Sequence, residues 1–372
     1  MAVHLLKIFV VLIACAGFAG PSLAEQSPKD PPGLSGPFKH ANLAVYFIHG
    51  SADQAAAKLI PLHEAMAKKL VRVSETGSVQ RLIIENLGDD PVYLQAGDIL
   101  KGGRQDRVVT NDVVLPPKSG PVSFGAYCVE RGRWSRRGRE SAGSFSSAET
   151  ALPTRSLRLA LITRRTDIRP ISGVREPMAP GLLVQGPRSN VRRPMVQGLR
   201  SSSNQDKVWM EVSKLQYKLS RSIKTDVKHG KSRTSLQLSL ENKALKMSMA
   251  PYRTALLNTP TKLKSVVGVV VVINGRISGA DVYAHPVLFR KLWPKLLGAA
   301  ATEAIAEKSD AAFKLPDAAK ITAFLTGARK NGKLRLQKSG LVNVAVRDGK
   351  AAIFSESRHG QSDWVHRTYL MK

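Results

Sequence analysis

Acidic residues are scarce in this chain. Asp and Glu number 28 against 57 Lys and Arg, which leaves a formal charge of +29 at neutral pH. That excess predicts strong, salt-sensitive attraction to an anionic polymer or an anionic membrane surface. Cysteine is scarcer still, with only Cys15 and Cys128. A disulfide framework is thereby excluded, and so is a Cys/His zinc site. Beyond the N-terminus there are no long apolar runs. The most apolar internal stretch, residues 265–273, has the length of a strand, whereas crossing a bilayer takes about 20 residues. The motifs of common enzyme classes are missing too. His63-Glu64 opens like a zinc-protease helix, but Ala67 stands where the second histidine is needed. Gly230-Lys231-Ser232 ends like a phosphate loop, but Thr225 takes the place of its first glycine. There is no nucleophile elbow and no dinucleotide fingerprint. No metal and no cofactor is implied.

The first 24 residues have the order of a secretory signal. Lys7 precedes the apolar run Ile8 to Ala19, Pro21 ends it, and Ser22-Leu23-Ala24 offers small residues at a cleavage point. Export to the periplasm or beyond, with cleavage near Ala24, is the expectation. Leu12-Ile13-Ala14-Cys15 also resembles a lipoprotein processing box, but little apolar sequence precedes Cys15 and more lies after it. Cys128 then remains as the only cysteine of the mature chain. It lies in a strand-like run and reads as a buried apolar residue rather than a nucleophile, because none of the eight histidines shows a pairing signature.

Composition divides the rest of the chain. Residues 25–38 form a Pro/Gly linker. Residues 39–150 alternate short apolar runs with Gly, Pro, Asn and Asp, which predicts a β-rich, sandwich-like region. Asp53 to Leu70 reads as a helix split at Pro61. Residues 151–207 form an insertion read as largely disordered. Between Arg131 and Arg200 there are fifteen Arg, no Lys and four acids. Only Leu157 to Ile162 within it has the pattern of an ordered piece. With Phe145 the one aromatic between Arg136 and Arg200, base stacking is disfavoured and contact by charge alone is expected. Residues 208–360 read as a smaller α+β region. Val208, Val212, Leu215 and Leu219 share a helical face, and Ser235 to Leu240 alternates like a strand. Asn274-Gly275 joins two strands in a hairpin, Pro286 opens a helix bent at Pro294, and Asp348-Gly349 turns a second hairpin. Residues 361–372 read as a tail. The fold class is α+β.

One stretch departs from the basic background: Gly97-Asp98-Ile99-Leu100-Lys101-Gly102-Gly103-Arg104-Gln105-Asp106-Arg107. Asp98, Gln105, Asp106 and Arg107, joined by Glu130 and Arg133, are the candidate ligand-binding residues. Carboxylates in such a set are suited to proton transfer or cation binding, and Arg to gripping phosphate or carboxylate. The competing reading makes the glycines and Asp98 ordinary turn residues and the Asp/Arg neighbours local ion pairs.

The segment from Leu62 to Trp134 resembles the ARPP-1 family, the ARG and rhodanese-phosphatase-superfamily-associated protein domain, formerly a domain of unknown function. The resemblance rests on the order Glu75, Asn86, Pro91-Val92, Gly97-Asp98, Gly103, Gln105-Asp106-Arg107, Cys128-Val129-Glu130 and Gly132-Arg133-Trp134. It covers residues 40–150 and 205–300. The family supplies no settled activity to carry over, and the Arg-rich insertion departs from its pattern. The expectation is an exported, non-enzymatic binding or structural protein. The alternative is an exported hydrolase using Asp98, Asp106 and Glu130.

Overall fold

The computed structural model describes residues 33–133, 135, 143–162, 204–339, 342–360 and 363–372. The signal-like segment, most of the Pro/Gly linker, Trp134 and the Arg-rich residues 163–203 lie outside the described residues.

Regular structure starts at Leu34, earlier than the expected Lys39. Strands β1 (Leu34–His40) and β2 (Leu43–His49) form a hairpin. The expected break at Pro61 is found: α1 (Gln54–Ala57), β3 (Ile60–Pro61) and α2 (Leu62–Ala67) replace one long helix. Asp53 caps α1 by accepting from the Ala55 amide. Eight short strands come next, as turn chemistry every few residues predicts. They are β4 (Val71–Glu75), β5 (Arg81–Asn86), β6 (Val92–Leu94), β7 (Ile99–Gly102), β8 (Arg107–Val109), β9 (Val113–Leu115), β10 (Gly120–Cys128) and β11 (Phe145–Ser147). Helices α3 (Arg155–Ile162) and α4 (Asn204–Ile223) flank the Arg-rich stretch.

The remaining elements are α5 (Leu236–Leu240), α6 (Lys243–Leu256), β12 (Val266–Ile273), β13 (Arg276–Tyr283), α7 (Pro286–Ala306), α8 (Ala318–Lys330), β14 (Lys333–Ser339), β15 (Val342–Asp348), β16 (Ala352–His359) and β17 (Asp363–Met371). Both hairpins read from Asn-Gly and Asp-Gly are present. The helix that opens at Pro286 runs through Pro294 to Ala306, as expected. Two expectations are corrected. Residues 236–240 are helical, because Ser235 caps the Leu238 amide and the polar members Gln237 and Ser239 are buried with partners of their own. Residues 363–371 are a strand and not a tail.

That last strand sits near the middle of the largest sheet, whose order is β1-β2-β12-β13-β17-β16-β15-β14. All its pairings are antiparallel, and β17 joins four strands on one side to three on the other. The N-terminal hairpin therefore belongs to the sheet of the later region. Strand alternation then dictates two cores. Leu43, Val45 and Phe47 face α7 and α4, and the Phe47 ring meets Trp293 edge-on at 5.2 Å. Ala44, Tyr46 and Ile48 face α8, with Ile321, Leu325, Phe354 and Tyr369. A third core lies between the six-stranded sheet β11-β7-β8-β10-β5-β4 and the three-stranded sheet β3-β6-β9, and this is the sandwich-like part. Each Leu or Phe fully buried in these cores contributes about 2 kcal/mol. Residues 32–372 form one compact unit. Among the described residues, no helix is long and apolar enough to cross a membrane.

Ending the chain after Gly360 removes β17 and leaves its neighbours β13 and β16 without a partner between them. The expected result is loss of cooperative thermal melting, monitored by circular dichroism. A sharp transition in the truncated chain would contradict this topology.

Candidate functional site

The segment Gly97–Arg107 separates into two clusters. Its second half turns at Gly102 and Gly103, where φ is +114° and +56°. A Cβ on Gly103 would fall 2.3 Å from the Phe145 ring, and one on Gly102 would fall 2.6 Å from the Ser144 carbonyl oxygen. Only glycine fits there. The turn directs Gln105, Asp106 and Arg107 inward against the end of β10, where Cys128, Glu130 and Arg133 meet them.

In this first cluster each candidate has a partner from the same chain. Asp106 Oδ1 accepts the Gly102 amide at 3.0 Å, and Oδ2 accepts the Ser235 hydroxyl at 2.7 Å. Ser235 is also the cap of α5, so one carboxylate joins the β7–β8 turn to a helix start 129 residues away. Glu130 Oε2 accepts the Asp106 amide at 3.2 Å and pairs with Arg133 Nη2 at 2.7 Å. Arg133 donates as well to the Gly103 carbonyl at 3.1 Å. Gln105 donates to the Glu130 carbonyl and accepts from Arg107 and from the Cys128 thiol. Arg107 reaches Glu75 at 3.4 Å. Burial alone would raise the Glu130 pKa. The hydrogen bonds from Arg133, Ser232 and the Asp106 amide outweigh it and hold the carboxyl below its ordinary value. Burial pushes the Cys128 thiol up to about 11, only partly opposed by Arg107. It is therefore a protonated thiol at neutral pH and no nucleophile. It is buried at the end of β10, as expected, and its thiol also has the polar partners Gln105 and Arg107.

Asp106, Arg107 and Glu130 are 0% exposed. A substrate reaches them only if the fold opens. Their chemistry is that of a closed, hydrogen-bonded ionic lock. Gln205, at the start of α4, completes it. Its side-chain amide accepts from the Cys128 N–H and donates to the Cys128 carbonyl, both at 2.8 Å, as a neighbouring strand would.

Asp98 belongs elsewhere. Its Oδ1 accepts from Lys295 Nζ of α7 at 2.5 Å, and its Oδ2 accepts the Gln95 amide at 3.0 Å. Lys295 also donates to the Ser147 hydroxyl at 3.2 Å. The trio ties α7 to the smaller sheets.

Beside it lies a network that sequence reasoning missed. His366 of β17 is buried, with Nδ1 2.9 Å from Asp112 and Nε2 3.1 Å from Asp281. Two carboxylates facing both ring nitrogens require both to carry protons. Burial alone would lower the His366 pKa, but Asp112 and Asp281 outweigh it and raise it to about 9. Arg158 of α3 adds a pair to Asp281 at 2.6 Å, and the Tyr283 ring stacks on the imidazole at 4.6 Å. Tyr283 in turn donates to Gln95. No local pattern announces this group, because its members come from separate parts of the chain. Among the described residues, no set of three His, Cys, Asp or Glu has the arrangement to hold a metal ion.

The sequence matches the ARG and rhodanese-phosphatase-superfamily-associated protein domain over residues 33–370. The chain belongs to the ARPP-1 family. The match extends past the resembling segments at both ends, to take in β1 and nearly all of β17. No curated protein and no solved structure matches the chain. Within this ARPP-1 chain, five of the six candidates (Gln105, Asp106, Arg107, Glu130 and Arg133) come together and Asp98 stands apart.

These clusters lead to two expected outcomes. Glu130→Gln removes the nearer of the two buried carboxylates that face Arg133, at 2.7 Å against 3.8 Å for Asp106, and should lower stability by about 3 kcal/mol, measured by urea unfolding. A value near zero would mean that the lock contributes nothing. His366 gives a pH signature. Its pKa rises from about 6.5 unfolded to about 9 folded, so its contribution is complete below pH 6.5 and fades as pH climbs through 9. Melting temperature should fall over that window, and His366→Gln should flatten the fall.

Proposed function

We propose that this ARPP-1 protein is an exported, non-enzymatic binding protein that holds an anionic polymer. The observation that carries the reading is the sealing of the candidate carboxylates. Asp98 is neutralised by Lys295 and Glu130 by Arg133, while Asp106 is held by an amide and a hydroxyl. The hydrolase alternative needs at least one of these carboxylates open to water and substrate, and all three are buried. The positive surplus, by contrast, has no comparable internal use. Lys and Arg exceed Asp and Glu by 57 to 28 over the whole chain, a formal charge of +29.

The Arg-rich residues 163–203 extend the same logic. They hold eight Arg against Asp167 and Glu176, and they connect α3 to α4 as a 41-residue excursion. Such a segment contacts phosphate, sulfate or carboxylate groups along a polymer and orders on contact. The signal-like N-terminus supports a partner outside the cytoplasm, where anionic envelope polymers are the abundant polyanions.

Deleting residues 163–203 from the mature chain should leave the melting temperature unchanged and weaken heparin binding at low salt several-fold, read by calorimetric titration. Loss of cooperative melting would contradict the excursion reading, and unchanged affinity would contradict the binding role of the arm.

A further inference from the structure

A wide cleft of this chain lies away from the carboxylate clusters. It is a solvent-open groove of about 1150 Å³ between the second half of α4, the β12–β13 turn, the end of α7 and residues 308–313. Along one wall α4 supplies Lys214, Lys218 and Arg221, and Lys224 comes directly after it. Arg276 opens β13 just after the hairpin turn, and Lys308 lies beyond the end of α7. The acids that line it are Glu303, Glu307 and Asp310, fewer than the cations.

Local pairing accounts for part of this charge. Lys218 meets Glu307 at 2.5 Å and Lys214 meets Glu211 at 2.7 Å. Helix C-termini favour nearby cations, which gives Arg221, Lys224 and Lys308 a local reason to be present. That reason does not extend to Arg276, which opens strand β13. Among the described residues, Arg221, Lys224, Arg276 and Lys308 form no ion pair. All four are exposed, and they border one groove from three elements.

Two aromatic rings complete the wall. Tyr217 is 66% exposed on the face of α4 away from the core, and Phe313 is 39% exposed on the opposite side of the groove. Both rings border the same groove as the four cations that form no ion pair, so apolar and positive surface lie together there. Isolated rings of this kind pack against the C–H faces of sugars, while ammonium and guanidinium groups take the acidic substituents. With 6% aromatics in the whole chain, there is no continuous platform for stacking successive bases.

We infer that this groove is the docking site for an anionic polysaccharide, with sugar rings against Tyr217 and Phe313 and carboxylate or sulfate groups on Arg221, Lys224, Arg276 and Lys308. The inference rests on the binding role proposed above and adds to it a place and a ligand class. Glu303, also in the lining, is held by the Arg155 amide and the Ser278 hydroxyl and is not free to compete for the cations.

The test uses the mature full-length chain and four probes: heparin, polygalacturonate, inorganic polyphosphate and an oligo-thymidylate. The triple variant Arg221→Glu, Lys224→Glu, Arg276→Glu should keep its melting temperature and lose about tenfold or more in heparin affinity at low salt, with a shallower salt dependence. Tyr217→Ala should weaken heparin and polygalacturonate but leave polyphosphate, which has no ring, unchanged. Equal effects of Tyr217→Ala on polyphosphate and on the polysaccharides would overturn the stacking role. Tighter binding of oligo-thymidylate than of either polysaccharide would overturn the ligand class. If the triple variant binds heparin like wild type while deletion of 163–203 weakens it, the groove is overturned and the broader binding role stands. If neither change matters, both fall.

Discussion

The buried imidazolium of His366, held between Asp112 and Asp281, is the constraint on which the other packing depends. A cation in this position is tolerated only because two carboxylates face its two ring nitrogens and an aromatic ring covers its flat side. Each partner comes from a different part of the chain. Asp112 precedes β9 in the three-stranded sheet, and Asp281 lies on β13 of the eight-stranded sheet, itself anchored by Arg158 from α3. With the imidazolium in place, Asp112 and Asp281 face one buried cation from two different sheets. Shifting β17 by one residue would turn His366 to the opposite face and leave both carboxylates in a dry interior.

The same device recurs on a smaller scale. Apolar packing supplies most of the gain from burial, but it is non-directional and tolerates sliding. Polar ties do not. Asp98 with Lys295, Tyr283 with Gln95, Asp106 with Ser235 and Gln205 with Cys128 each join elements far apart in sequence. The stretch that looks most like a binding loop is therefore a place where several layers are fastened together. Hydrogen-bonded carboxylates, an inward arginine and tight glycines are what a catalytic loop and a structural lock have in common. They differ in whether water can enter, and here Asp106, Arg107 and Glu130 are fully buried.

Local physics was readable in the sequence and long-range pairing was not. Turn residues announced β4, β5, β6, β8 and β10 but not β7 or β9, Asn274-Gly275 announced its hairpin, and the spacing of Val208, Val212, Leu215 and Leu219 announced α4. The α+β class came from these. Residues 236–240 misled because alternation of Leu with Ser and Gln marks a strand only when one face meets water, and here all five are buried. The final strand was missed because its residues, Trp364-Val365-His366-Arg367-Thr368, mix charge with apolar character. A half-exposed strand does not look like that, but one bordered by ionic partners does. At the site, Gln105, Asp106 and Arg107 were found because bulky polar residues leading into a strand need partners. Ser235, Gln205 and Lys295 carry no such local mark.

The order of the large sheet has a consequence for how this protein is made. Its middle position is filled by β17, the last strand in chain order, while the first strand, β1, forms one edge. Synthesis must reach β17 before the sheet can close and the charged ring of His366 can find its carboxylates. Until then β13 and β16 have no strand between them.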